Sequence, residues 1–334
     1  MKAILFVGHG SRLPAGNDEV RNFIQQMTPS IPEEYIVETC FLEFEKPNIP
    51  TGIKNAVERG ATEIYAIPII LLQAGHSKIH IPHEIDEAKV DYPNVKFTYG
   101  RPIGIHEEVI EILLSRLQQT GFAIEEEHKD TAVLLIGRGG SDADANSDFY
   151  KISRLLYERL NVATVEPAFM GVAAPLVDEG MERCSRLGAK KVIMLPYFLF
   201  TGILMERMAK MKERYEVDYP ELTIELAEYF GYHDKLKNVL HDRINEAVAG
   251  EVKMNCDTCQ YRINAMDFID HHHHHDDDDH HHGHSHSHSH DHSHDHDHSH
   301  SHDHSHDHDH SHDHDHACDG HDHSHAHCHS EAKN

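Results

Sequence analysis

The chain carries one pattern twice. The segment "AILFVGHGSR" (Ala3 to Arg12) returns as "AVLLIGRGGS" (Ala132 to Ser141), each an apolar run that breaks into a glycine-flanked turn. Further on, "VETCFLEFEKPNIPTGIKNAVERGATEIYAIPIIL" (Val37 to Leu71) aligns with "VEPAFMGVAAPLVDEGMERCSRLGAKKVIMLPYFL" (Val165 to Leu199) at a constant offset of 128. Gly60-Ala61 falls on Gly188-Ala189, Pro68 falls on Pro196, and "PIGIHEEVIEIL" faces "YFGYHDKLKNVL", which sets His106 on His233. A repeat of this length implies two copies of one architecture. The expected halves are 1–125 and 130–250, with the polar "EEEHKD" (Glu125 to Asp130) as their linker.

Within each copy, short β-branched runs alternate with helix-like segments. In the first copy the expected strands are Ala3–Val7, Ile36–Phe41, Glu63–Ile70 and Lys96–Tyr99, separated by stretches such as "GNDEVRNFIQQM" and "HEEVIEILLSRL". Parallel strands need crossover connections, so four βα units per copy predict an α/β fold: two similar lobes, each a parallel four-stranded sheet with helices on both faces. Ligands of such sheets sit beyond the carboxyl ends of the strands. Two lobes then place a cleft between their strand ends.

Those ends carry the chemistry. The first strand of copy one ends at His9, the second just before Glu43, and the third in "LLQAGHSK" with His76. Two imidazoles and a carboxylate form a plausible open site for a divalent first-row metal. In copy two the same places hold Arg138, Gly171 and the neighbourhood of Ile203, so all three candidates are absent together. This points to a metal wall in one lobe only. The plainer alternative is that His9 and His76 cap helices or bond backbone. Arg138 sits between glycines in a turn that favours anions, as do Ser11 and Arg12 in copy one; a surface salt bridge is the other reading of Arg138.

Composition bounds the rest. From His271 onward almost every residue is His, Asp or Ser, and 30 of the 38 histidines lie there. Too little apolar surface is present in 271–334 to offset the entropy of ordering it, so a disordered tail is expected. That tail carries about half of the acidic excess behind the net charge of -27. The acidic balance argues against nucleic acid as partner. The opening apolar run is too short for a secretory core and reads as a first strand. No stretch approaches the roughly 20 apolar residues that span a bilayer, so no membrane association is expected. The six cysteines (Cys40, Cys184, Cys256, Cys259, Cys318, Cys328) are scattered and do not read as a disulfide framework. A reduced, cytoplasmic setting fits.

Taken together, "FVGHGSR", "LEF" followed by "PN", and "PIILLQAGHSKIHIP" resemble the class II tetrapyrrole chelatases, and the sirohydrochlorin cobaltochelatases of the CbiX type in their long, two-lobed form. The likeness spans the whole body and extends to "MNCDTC" and the His-rich tail. It implies flavodoxin-like lobes that enclose sirohydrochlorin, an octacarboxylate macrocycle, and insertion of Co²⁺ during anaerobic cobalamin synthesis. It implicates His9, His76 and Glu43 in handling the metal and in catalysis. Ser11, Arg12 and Arg138 become the candidate partners of substrate carboxylates, with Arg101 and Arg207 as further cations. His80 stands where relatives often have an acidic residue, and neither it nor His83 is expected to be a primary ligand.

Cys256 and Cys259, behind the last helix, are ambiguous on their own between zinc, an iron–sulfur cluster and a dithiol couple. The resemblance, with Met254 completing an MxCxxC pattern, implies an iron–sulfur cluster of the 4Fe–4S kind in segment 251–270, with zinc as the alternative. Two cysteines do not complete a four-thiolate cluster; Cys318 and Cys328, non-protein ligands, or a second chain in a homodimer would supply the rest. The tail's imidazoles suit cobalt, nickel, copper and zinc, which reads as a reservoir of divalent metal. Three functions follow: cobalt insertion, the same reaction with iron toward sirohaem, or metal storage and delivery without catalysis.

Overall fold

The structure is a computed structural model that describes residues 1–251, with His76 described by its backbone alone. The CxxC segment and the His-rich tail fall outside the described residues. Strand β1 (Lys2–Gly8) is followed by α1 (Pro14–Met27), β2 (Tyr35–Phe41), α2 (Ile49–Glu58) and β3 (Glu63–Ile69). A π-helical turn (His76–His80) then leads into α3 (Ile81–Asp91), β4 (Lys96–Tyr99) and α4 (Glu107–Gln119). The second copy repeats the order as β5 (His128–Gly137), α5 (Ala143–Tyr157), β6 (Val162–Phe169), α6 (Val177–Arg186), β7 (Lys191–Pro196), α7 (Ile203–Asp218), β8 (Thr223–Leu226) and α8 (Asp234–Ala249).

The two sheets are wholly parallel, ordered β2-β1-β3-β4 and β6-β5-β7-β8. In each, the chain steps outward in both directions from its first strand, the flavodoxin-like arrangement with a switch point at that strand's carboxyl end. Alternation along β1 explains the layering. Ala3, Leu5 and Val7 face a core shared with α2 and α3, whereas Ile4 and Phe6 face the opposite core. Both sets are fully buried, as a sheet covered on both faces requires.

The connection between the copies is shorter than "EEEHKD" suggests. β5 already begins at His128, whose backbone N–H donates to Asn161 O at 2.7 Å. Its ring packs on Phe122 at 4.2 Å and its Nε2 lies 2.8 Å from Ala123 O. A polar strand start has no apolar alternation, so it reads as linker.

The final helix of each copy crosses to the other. α8 packs on β3 and β4, and α4 packs on β7 and α5. One continuous core thus joins Ile4, Phe6 and Tyr65 to Leu135, Ile193 and Leu195 through α1, α4, α5 and α8. Around this exchange the contacts are reciprocal. His106 caps α4 by accepting from Glu108 N and reaches Asp242 of α8 at 3.1 Å. His233 caps α8 by accepting from Lys235 N and reaches Ser115 of α4 at 3.2 Å. Arg243, 1 % exposed, donates to Pro102 O and Ile103 O, and Arg116 donates to Phe230 O on the other side. This is the self-complementary contact of a two-fold dimer, written into one chain.

Candidate metal site at the strand ends

Loop geometry brings His9 and Glu43 together. Gly10 adopts φ +89°, and a Cβ there would lie 1.7 Å from Glu43 O. Only glycine permits so close a crossing of the β1 and β2 loops. Hydrogen bonds from Leu42 N to Gly8 O (2.9 Å) and from Glu43 N to His9 O (3.1 Å) hold the two loops in step. The second copy repeats the device: Gly139 at φ +81° passes Gly171 O, and Met170 N bonds Gly137 O. The scaffold is therefore duplicated while the side chains on it differ.

His9 is part-buried and has two distinct neighbourhoods. Its Nδ1 lies 3.1 Å from Gly10 O and 3.4 Å from a Glu43 carboxylate oxygen. A carbonyl oxygen only accepts, so Nδ1 carries the hydrogen. Nε2 then carries no hydrogen, and it accepts from Arg138 at 3.2 Å. Burial first, and Arg138 after it, push the His9 pKa down against the raising influence of the Gly10 carbonyl and Glu43, which favours the neutral ring. A neutral imidazole whose N–H rests on a carbonyl and a carboxylate is the form in which histidine ligates metals.

The remaining candidates separate. Arg138 reaches from the end of β5 to the end of β1, so the strand ends of the two lobes face each other here. Arg12 is exposed and lies over the Phe44 ring at 4.8 Å, beside Glu43. Ser11 shapes its own turn: its hydroxyl accepts from Leu13 N at 3.0 Å, and its N–H donates to buried Asn17 at 2.8 Å. His76 opens the π-helical turn after β3. Among the described residues no three His, Cys, Asp or Glu side chains form a ready-made metal cage; His9 and Glu43 are the described part of the expected triad.

Arg101 is committed elsewhere, because its guanidinium grips Glu246 with bonds of 2.7 and 2.5 Å. Arg207 is exposed on α7. His83 is exposed and pairs with Glu87 at 3.4 Å one turn along α3, and His80 is exposed too. Sequence reasoning passed over Lys78, 3 % exposed at its side chain and 2.7 Å from Asp142 in the other copy. No spacing rule links residues so far apart in the chain.

Cys256 and Cys259 lie outside the described residues. The described cysteines, Cys40 and Cys184, are both buried, and burial pushes the Cys184 thiol up to about 12 and the Cys40 thiol higher. Neither is suited to supply a thiolate. No helix among the described residues is long and apolar enough to cross a membrane.

Two flavodoxin-like lobes, one presenting a histidine and a carboxylate at its strand ends and the other an arginine, define a bilobal α/β protein whose strand ends face each other. A family model described as CbiX matches residues 3–120 and again 132–247, and the chain belongs to this family. It is 58% identical over 272 residues to the sirohydrochlorin cobaltochelatase of Priestia megaterium, covering 81% of this chain and 88% of that one. The sirohydrochlorin ferrochelatase of the same organism is 36% identical over 75% of this chain and 92% of its own length. SirB from Bacillus subtilis with Fe³⁺ superimposes with a TM-score of 0.67 at 35% identity, over 75% of this chain and 96% of SirB.

Proposed function

We propose that this chain is a sirohydrochlorin cobaltochelatase, which inserts Co²⁺ into the macrocycle and releases two protons on the anaerobic route to cobalamin. The relationship to the Priestia megaterium cobaltochelatase supports the reaction and the substrate. The observation that supports the mechanism is the meeting of His9, backed by Glu43 at 3.4 Å, with Arg138 of the opposite lobe at 3.2 Å. In this reading His9 and His76 hold the incoming ion, with Glu43 as their acidic companion. Glu43 orients the His9 ring and accepts pyrrole protons, and such general-base help is worth roughly two to four orders of magnitude in rate. Arg138 and Arg12 receive substrate carboxylates, and the Ser11 turn shapes the wall between them. Holding ion and ring together supplies the proximity term.

The test follows the visible spectrum of sirohydrochlorin after adding Co²⁺ or Fe²⁺. Cobalt insertion by the wild-type chain and a loss of about a hundredfold or more in His9→Ala and His76→Ala are expected. Wild-type turnover in either variant removes that residue from the mechanism, and no insertion of any metal leaves only storage and delivery. The ferrochelatase relative and the iron-bearing SirB favour iron as the second reading, which faster Fe²⁺ than Co²⁺ insertion would establish.

Two finer readings rest on sequence outside the described residues. Cys256 and Cys259 fit an iron–sulfur cluster of the 4Fe–4S kind, completed by Cys318 and Cys328, by non-protein ligands, or by a second chain in a homodimer; zinc is the alternative. Because Cys40 and Cys184 are buried with raised thiol pKa values, they are not counted among its ligands. Anaerobic absorption and EPR spectra separate cluster from zinc. The tail, 271–334, serves as a reservoir of divalent metal. Its deletion should leave the rate intact at saturating Co²⁺ and lower it when Co²⁺ is scarce, and equal rates at every concentration reject the reservoir. A cytoplasmic location accords with both.

A further inference from the structure

Beyond the strand-end residues, the least expected polar contact in the molecule is a buried ion pair between the lobes. Lys78 lies in the π-helical turn that opens at His76, and its Nζ is 2.7 Å from Asp142 and 3.3 Å from Asp144. The Lys78 and Asp142 side chains are 3% and 1% exposed. Asp142 has a second task, since its other carboxylate oxygen accepts from Asp144 N at 3.0 Å and so caps α5. It stands four residues after Arg138. The pair therefore ties the turn that carries one candidate ligand to the turn that carries the opposing cation.

Stability is a poor reason for such a pair, because removing two ions from water offsets most of their attraction. Symmetry is no reason either. In the repeat Lys78 falls on exposed Glu206 and Asp142 falls on Leu13. At the other lobe boundary Glu19 instead accepts from Thr201 N and the Tyr229 hydroxyl. Among the described residues the pair has no counterpart at the equivalent place in the repeat. The same turn is anchored from behind, where the Tyr99 hydroxyl donates to Ser77 O at 2.7 Å. Single π-helical turns are frequent at functional sites, where they re-aim a side chain.

We propose that Lys78 and Asp142 are positioning residues, whose buried ion pair holds the turn beginning at His76 in register with the Arg138 turn across the lobe boundary. The role rests on the chelatase reading for its catalytic consequence but not for its structural one. A misplacement of about 1 Å in such a constellation costs up to about a hundredfold in rate.

The experiment uses the full chain and the double variant Lys78→Met/Asp142→Asn, which removes both charges and leaves an amide oxygen for the α5 cap. Hydrogen exchange is measured first, and it needs no substrate. The peptide covering 74–80 should exchange faster by about tenfold while α8 is unchanged; unchanged exchange at 74–80, or equal acceleration everywhere, overturns the proposal. With Co²⁺ and sirohydrochlorin saturating, kcat should then fall about a hundredfold with KM for sirohydrochlorin within about twofold. Lys78→Arg, which keeps the pair, should stay within about tenfold of wild type. Wild-type kcat in the double variant overturns the proposal, whereas a wild-type chain that inserts no metal overturns only the chelatase reading. Should that double variant fail to fold, Lys78→Met/Asp142→Ser, which strands no charge and keeps a hydroxyl for the α5 cap, takes its place with the same outcomes.

Discussion

His9 divides its two nitrogens between the two lobes. The Nδ1 side, held by Gly10 O and Glu43, belongs to the first lobe; the Nε2 side meets Arg138 of the second. Loss of the carboxylate and loss of the guanidinium should therefore have different kinetic signatures. Glu43→Gln should lower kcat by roughly two to four orders of magnitude, as expected for a lost proton acceptor. Arg138→Met should instead raise KM for sirohydrochlorin about tenfold to a hundredfold, the worth of one charge-assisted hydrogen bond. Arg101→Met is the contrast, since its guanidinium is spent on Glu246: KM should stay put while the melting temperature falls. Steady-state kinetics of the three variants check the assignment. The strand-end placement of His9, Glu43 and Arg138 was legible in the sequence, because each follows an apolar strand. The Arg101–Glu246 pair was not legible, because Glu246 comes from a helix of the other copy.

At the level of elements, the crossing of Gly10 over the Glu43 carbonyl is the tightest constraint near the site. Gly10→Ala meets both a left-handed backbone and a carbonyl at 1.7 Å. It should destabilise the fold by about 3 kcal/mol or more. Gly60 shares the backbone condition at φ +92° but has open space around it. Gly60→Ala should cost only about 1–2 kcal/mol. Denaturant midpoints of the two variants give the comparison. The pattern of short β-branched apolar runs located the strands of the first copy to within a residue or two, since a sheet buried on both faces needs apolar side chains on each. It gave no sign of the π-helical turn at His76–His80, where an extra residue per turn leaves no trace in hydropathy. The caps supplied by His106 and His233 were visible only as an aligned pair; their geometry shows them to be structural.

Across the whole molecule, the two copies are joined by exchange of their last helices, and one ion cluster sits on that exchange. Burial alone would push the Glu246 carboxyl up, but hydrogen bonds and charge from Arg101 and Arg243 outweigh it and hold its pKa below the usual carboxylate range. A carboxylate so depressed adds stability above its unfolded-state pKa, and that stability is lost as pH falls through the lowered folded-state value. Glu246→Gln should thus cost about 3 kcal/mol at neutral pH, because it strands buried Arg243. The deficit should shrink below about pH 4, where wild type loses the same term. Urea melts at several pH values test both statements. The duplication was plain in the sequence, but the exchange was not, because a helix has the same amphipathic pattern whichever sheet it covers. That exchange also limits how the mouth between the lobes can widen. A hinge that swung the halves apart would have to extract α4 and α8 from opposite sheets and break a continuous core. Admission of a flat ring would then fall to the loops at the rim, with the halves expected to stay clasped.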